Sequence, residues 1–196
     1  MRYVFHTLIV ASILLWAGCS DKKSSHNPMD KNHTDINTSK IVQKIQNDFN
    51  IRDIDNRSTT ISFIGEKIKI KKVVQPIIAI NIFANWSAPS RGMIPYLSEL
   101  QQKYPKDLFV ISILANSDMN DTELRTFMKK HSASHFISNT PQNNELSLRL
   151  VSLLGLGDDY PIPLTIIFKN GEYNMHYIGA TPIEMIGSDI EQLRRK

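Results

Sequence analysis

Two unbroken apolar stretches constrain this chain more than anything else in it. Residues 77–84 (IIAINIFA) and 107–115 (DLFVISILA) are almost free of charge and rich in β-branched residues. A strand with one face in water alternates apolar and polar residues, whereas a continuous apolar run of this length is a strand covered on both faces. Between the two runs, from Pro89 onward, Met93, Leu97, Leu100 and Tyr104 recur with the spacing of one helical face. Strand, amphipathic helix, strand, with both strands buried, predicts an α/β architecture: a central sheet with helices on both faces.

The flanking segments fit that frame. Residues 59–64 and 67–74 are β-rich around Gly65–Glu66 and read as a hairpin. Lys67, Lys69 and Lys71 alternate there with Ile68 and Ile70; the leading reading is an edge strand whose lysines discourage aggregation, the alternative a cationic contact stripe. Residues 121–131 predict a helix capped by Asp121 with Glu123 in its first turn. Residues 143–156 predict another, stopped by Gly155 and Gly157. Residues 164–168 and 172–178 pair across Lys169–Asn170–Gly171, and residues 181–195 form a closing helix. Ile41, Ile45 and Phe49 have helical spacing at the start of the domain. An apolar content of 41% suffices for one core, and 41–196 is the predicted domain.

The net charge of +4 is spread along the chain without a Lys/Arg tract, which argues against nucleic acid as a partner. His131 and His135 flank a helix end and read as surface or boundary histidines. Asp158–Asp159 reads as an exposed loop before Pro161. No metal and no other cofactor is expected.

The N-terminal residues are of another kind. Met1–Arg2 is followed by an apolar run to Trp16 that is too short for a comfortable membrane span and reads as an export signal. The run ends Ala17–Gly18–Cys19, which resembles the lipobox of bacterial lipoproteins, with Trp16 standing where that pattern usually has an aliphatic residue. The resemblance implies cleavage after residue 18 and lipidation of Cys19. Each buried acyl methylene then contributes about 0.8 kcal/mol to a membrane anchor. The expected place is the bacterial envelope, facing periplasm or exterior; Ser20 after the cysteine favours the outer membrane in a Gram-negative host. Residues 19–40 are too polar to bury a core and read as a flexible tether, with His26 and His33 as solvated linker histidines.

The segment Asn81–Ile82–Phe83–Ala84–Asn85–Trp86–Ser87–Ala88–Pro89–Ser90, continuing through Met93 to Pro95, resembles the active-site region of thioredoxin-like proteins. It is most similar to the TlpA/ResA type of membrane-tethered thiol–disulfide oxidoreductases. Trp86, Pro89 and Pro95 fall in register with that pattern, and Asn81 stands where the subgroup carries asparagine. A second landmark, Tyr160–Pro161–Ile162–Pro163–Leu164–Thr165, resembles the family's loop ending in a cis-proline, which makes Pro163 the candidate cis residue. The resemblance implies a thioredoxin-like fold from about residue 41 onward. It also implies a groove between the two loops, formed by Trp86, Ser87, Pro89, Ile162, Pro163 and Leu164, in which active relatives hold an extended peptide by its backbone.

The two family cysteines are replaced by Ser87 and Ser90, and Cys19 is the sole cysteine of the chain. Disulfide exchange needs a thiolate that attacks sulfur and a second thiol that resolves the mixed disulfide. A helix N-terminus lowers a thiol pKa from about 8.5 toward 7 or below. It cannot bring a serine hydroxyl near neutrality. Met93 replaces a glutamate common in relatives, consistent with the loss of sulfur chemistry. Ser87 and Ser90 are expected to cap the helix, not to catalyse. The leading reading is a redox-inactive binding or scaffold module whose partner is an extended peptide or envelope protein. The alternative is an enzyme that borrows a thiol, as some glutathione transferases use serine to hold the thiolate of glutathione.

Overall fold

The computed structural model describes residues 46–195. Its elements are β1 (Asp48–Arg52), β2 (Ser58–Ile64), β3 (Lys67–Ile70), β4 (Ile77–Phe83), α1 (Ala88–Lys103), β5 (Leu108–Leu114), α2 (Asp121–Lys130), β6 (Phe136–Ser138), α3 (Asn143–Leu153), β7 (Leu164–Lys169), β8 (Glu172–Ile178) and α4 (Ile183–Arg195).

Five strands make the central sheet, in the order β6-β5-β4-β7-β8. β4 pairs parallel with β5, and β5 with β6; β7 runs antiparallel to both β4 and β8. The two apolar runs are therefore the inner strands: every residue of β4 is buried, and all but Phe109 of β5. On one face Ile77 and Ala79 pack with Leu97 and Leu100 of α1 and with Ile186 and Ile190 of α4. Farther along, Phe83 packs with Leu124 and Phe127 of α2. On the other face Ile78, Ile80 and Ile82 meet Leu146 and Leu150 of α3 and a second sheet, β1-β2-β3.

That second sheet is joined to the first at both ends. A backbone bridge links Asp53 to Ser138, and the Ile68 amide donates to the Gly171 carbonyl at 2.8 Å. Gly171 has φ +83°, and a β-carbon there would collide with the Ile68 carbonyl, so the β7–β8 turn requires glycine.

The structure departs from the sequence expectations in five places. The second hairpin strand, expected over 67–74, ends at Ile70, and Lys72 turns to φ +65° just beyond it. Phe49 lies in a strand: Phe49 and Ile51 point inward while Asp48 and Asn50 point outward, a period of two. Ile41 and Ile45 lie outside the described residues. The cap of α2 is Asn120, one residue earlier than expected. Its side chain accepts from the amides of Thr122 and Glu123 at 3.0 Å each, and Glu123 accepts from the Asn120 amide at 2.8 Å, a capping box. Helix α3 ends at Leu153, and Gly155 at φ +68° follows the stop. β6, only three residues long, was not anticipated.

Candidate functional site

Sheet register builds the site. β4 and β7 are antiparallel neighbours with Ile82 opposite Leu164. The chain leaving β4 and the chain entering β7 thus share one end of the sheet, which brings residues 84–87 beside Ile162–Pro163. The Ile162–Pro163 peptide bond is cis, as the sequence predicts.

Ser87 is the N-cap of α1, with φ −76° and ψ 117°, and its Oγ accepts from the Ser90 amide at 3.3 Å. One of the helix's orphan donors is thereby satisfied. Pro89 follows in the first turn, where the missing N–H costs nothing. Ser90 behaves differently from the expected capping role: its Oγ accepts from the Ala84 amide at 3.5 Å, tying the helix back to the end of β4. Ser90 has no exposed surface and Ser87 only 6%. Trp86, between strand and cap, is 66% exposed.

A residue the sequence reading did not single out holds this turn. Arg91 donates through Nη1 to the carbonyls of Asn85 at 3.0 Å and Trp86 at 2.7 Å. Both acceptors are left bare by the turn, so the guanidinium satisfies them while fixing the backbone beneath Trp86. Of the other predicted groove residues, Pro89 is exposed, Ile162 half-buried and Pro163 buried. Leu164 is wholly buried and packs inward with Ile82 and Ile166. Its side chain belongs to the core, not to an open platform. Cys19 lies outside the described residues.

Behind the site runs a buried polar chain across the sheet. Asn81, Ser112 and Thr165 stand side by side on β4, β5 and β7. Thr165 Oγ1 donates to Asn81 Oδ1 at 3.2 Å, and Asn81 Nδ2 donates to Ser112 Oγ at 3.2 Å. Ser112 Oγ lies 2.7 Å from His135 Nε2, and His135 Nδ1 lies 2.7 Å from Ser98 Oγ on α1. Ser98 Oγ in turn donates to the Ile94 carbonyl at 3.2 Å. All five side chains are at most 2% exposed.

The proton positions follow from this bookkeeping. Ser112 Oγ already accepts from Asn81, and its own proton finds an acceptor in this chain only at a bare Nε2; His135 Nδ1 then carries the hydrogen and donates to Ser98 Oγ, whose proton goes to the Ile94 carbonyl. Nε2 is then bare and accepts from Ser112. Every polar atom of the chain is satisfied only with a neutral ring. Burial pushes the His135 pKa down to about 3 from its ordinary 6.5. His135 is therefore a core group and not the boundary histidine expected from the sequence. His131 does lie at the surface end of α2, and its pKa is also lowered by burial.

Chemically, the site offers a helix start that stabilises negative charge, an exposed indole, and a cis-proline loop alongside. Its serine oxygens are engaged, Ser87 in capping the helix and Ser90 in tying it to the end of β4. A cavity of about 460 Å³ adjoins it, between Pro89, Gly92 and Tyr96 of α1 and the Ala180–Thr181–Pro182 loop.

No protein-family model matches the chain, and no curated protein matches it in sequence. Solved structures do match in three dimensions. The exposed lipoprotein thioredoxin Etrx1 of Streptococcus pneumoniae is similar over 74% of this chain and 98% of its own, with 11% identity and a TM-score of 0.53. A thiol:disulfide interchange protein of the thioredoxin family from Chlorobium tepidum matches over 75% and 93%, with 14% identity and a TM-score of 0.52. StoA from Bacillus subtilis matches over 72% and 94%, with 15% identity and a TM-score of 0.50. These likenesses show the fold: the domain is an α/β thioredoxin-like fold with a mixed central sheet and four helices. With a single cysteine, the chain has no dithiol.

Proposed function

We propose that this chain is a lipid-anchored envelope protein of the TlpA/ResA type that has given up dithiol chemistry and holds an extended segment of a partner polypeptide. One observation carries the reading. At the end of the sheet where the cis-proline loop meets the start of α1, the two critical positions are serines: the Ser87 oxygen caps the helix and the Ser90 oxygen ties it to the end of β4, beside a tryptophan left open to solvent. A serine hydroxyl there supplies neither the nucleophile nor the leaving group of disulfide exchange. The helix start, the exposed indole and the strand-end backbone are features that recognise a peptide without sulfur. Anchoring rests on the Ala17–Gly18–Cys19 resemblance, and the polar residues 20–40 would act as the leash.

Tryptophan fluorescence provides the test. Once the export signal is removed, Trp86 is the sole remaining tryptophan. Titration with an unfolded, cysteine-free polypeptide should shift its emission to the blue. The same polypeptide with N-methylated backbone amides should not, because backbone hydrogen bonding is blocked. Equal response to both polypeptides, or no response to either, contradicts peptide capture in this groove.

A further inference from the structure

The sheet β1-β2-β3 has one face in the core and one in water, and the wet face is unevenly charged. β3 turns Lys67 and Lys69 outward, and Lys71 and Lys72 follow at its end, both exposed. Lys67 is paired with Glu172 at 2.6 Å and Arg52 with Asp121 at 3.0 Å. Lys69, Lys71 and Lys72 form no ion pair with any described residue.

At this end of the sheet lies a recess of about 410 Å³, walled among others by Asn50, Arg52, Ser58, Lys71, Lys72 and Thr140. No carboxylate of the described residues lines it. Two hydroxyls of the wall are spent on building it: Thr59 Oγ1 donates to the Lys71 carbonyl at 2.6 Å, and Thr60 Oγ1 to Asn50 Oδ1 at 2.8 Å. The second bond leaves the side-chain nitrogen of Asn50, Nδ2, without an acceptor among the described residues, while the Asn50 backbone N–H donates to Gln142 Oε1 at 2.7 Å. Together with the two ammonium groups and the Ser58 hydroxyl, Nδ2 forms a donor set without a matching acceptor among the described residues. That is the chemistry of an oxyanion site.

The backbone adds an independent sign. Among the described residues, five non-glycine residues have positive φ: Asn56, Asn116, Ser132, Asn170 and Lys72. Four are short polar residues of the kind suited to that conformation. Lys72, at φ +65°, is the one long charged side chain held there. Such a conformation is unfavourable for a residue with a β-carbon and needs a reason in its surroundings. Here it puts consecutive lysines on the wall of one recess.

We propose that this recess takes the phosphate of an anionic lipid headgroup, seating the wet face of the three-stranded sheet on the membrane that carries the anchor. Charge complementarity points to an anionic surface. The chain outside the described residues points to the membrane: in sequence, residues 1–45, with Cys19 among them, precede this same sheet, whose first strand begins at Asp48. The proposal rests on the anchored reading above.

The test uses the full chain reconstituted into phosphatidylcholine vesicles and into vesicles of phosphatidylcholine with phosphatidylglycerol. Flotation with pure phosphatidylcholine reports the anchor alone. Lysines are then labelled with an amine-reactive ester and quantified by mass spectrometry. Lys71 and Lys72 should label at least threefold more slowly on the anionic vesicles, while Lys129 and Lys130 of α2 should not change. The protection should disappear in high salt, and Lys71→Gln/Lys72→Gln should abolish the composition-dependent protection of Lys69. A chain that floats with both vesicles but labels identically overturns the headgroup site and leaves the anchor standing. A chain that does not float with phosphatidylcholine overturns the anchor. Equal protection of Lys129 and Lys130, or full protection by inorganic phosphate on pure phosphatidylcholine, also overturns the proposal: the first would show general attraction, the second a solute site.

Discussion

Acidification should unfold this domain earlier than its carboxylates alone would require, because of His135. The ring is at most 2% exposed and its hydrogen-bond chain is satisfied only when it is neutral. A second proton would sit on Nε2 and face the Ser112 hydroxyl, which already accepts from Asn81 and would be left without an acceptor for its own proton. The folded pKa of about 3 lies below the ordinary 6.5, so the unfolded chain binds this proton first. Stability from the neutral ring is complete above about pH 6.5 and declines as pH falls toward about 3. Linkage makes the loss about 2 kcal/mol between pH 7 and pH 5, a window in which ordinary carboxylates remain ionised in both states. Against a typical domain stability of about 5–15 kcal/mol that is readily measured. Urea unfolding at pH 7 and pH 5 should show it in the parent protein. His135→Gln, less stable at neutral pH through its lost Ser98 contact, should be nearly flat over the same range. His131→Gln serves as the control for the other lowered histidine. Nitrogen chemical shifts should report the Nδ1–H tautomer. Equal pH slopes in the parent and His135→Gln, or an Nε2–H tautomer, would refute the reasoning.

Two further substitutions probe the frame around the site. Gly171→Ala should cost about 1–3 kcal/mol in chemical unfolding, since φ +83° and the Ile68 carbonyl leave no place for a methyl group; an unchanged midpoint would contradict the turn geometry. Arg91→Ala should leave the fold intact but speed amide hydrogen exchange across residues 84–87 and redden Trp86 emission, because two turn carbonyls lose their donor; unchanged exchange there would show that the turn holds itself.

Much of the fold is legible in the chain because its determinants are local. Continuous apolar runs named the inner strands, and the spacing of Met93, Leu97 and Leu100 named the helix between them. The position of Ser87 at a helix start and the cis bond before Pro163 were likewise carried by short motifs. What escaped depends on distant partners. β6 is three residues long, too short to show a period, and exists because β5 pairs with it. His135 looks like any histidine after a helix; its burial is set by Ser98 and Ser112, 37 and 23 residues away. Asn120 and Asp121 are both good caps, and the choice is made by Glu123 reaching back to the Asn120 amide. The basic recess joins residues near 50, 59, 71 and 140, which no motif connects.

The most direct measurement is reduction of insulin by the isolated protein and by its Ser87→Cys/Ser90→Cys variant, with dithiothreitol as electron donor. Positions 87 and 90 stand at the first turn of α1, where a thiol would be activated and its neighbour lies within reach. The parent should be indistinguishable from the protein-free control, and the double-cysteine variant should accelerate precipitation while cycling between disulfide and dithiol. Catalytic turnover by the parent, or a folded variant whose two cysteines neither pair nor react, would contradict a thioredoxin-like frame that has lost only its sulfur.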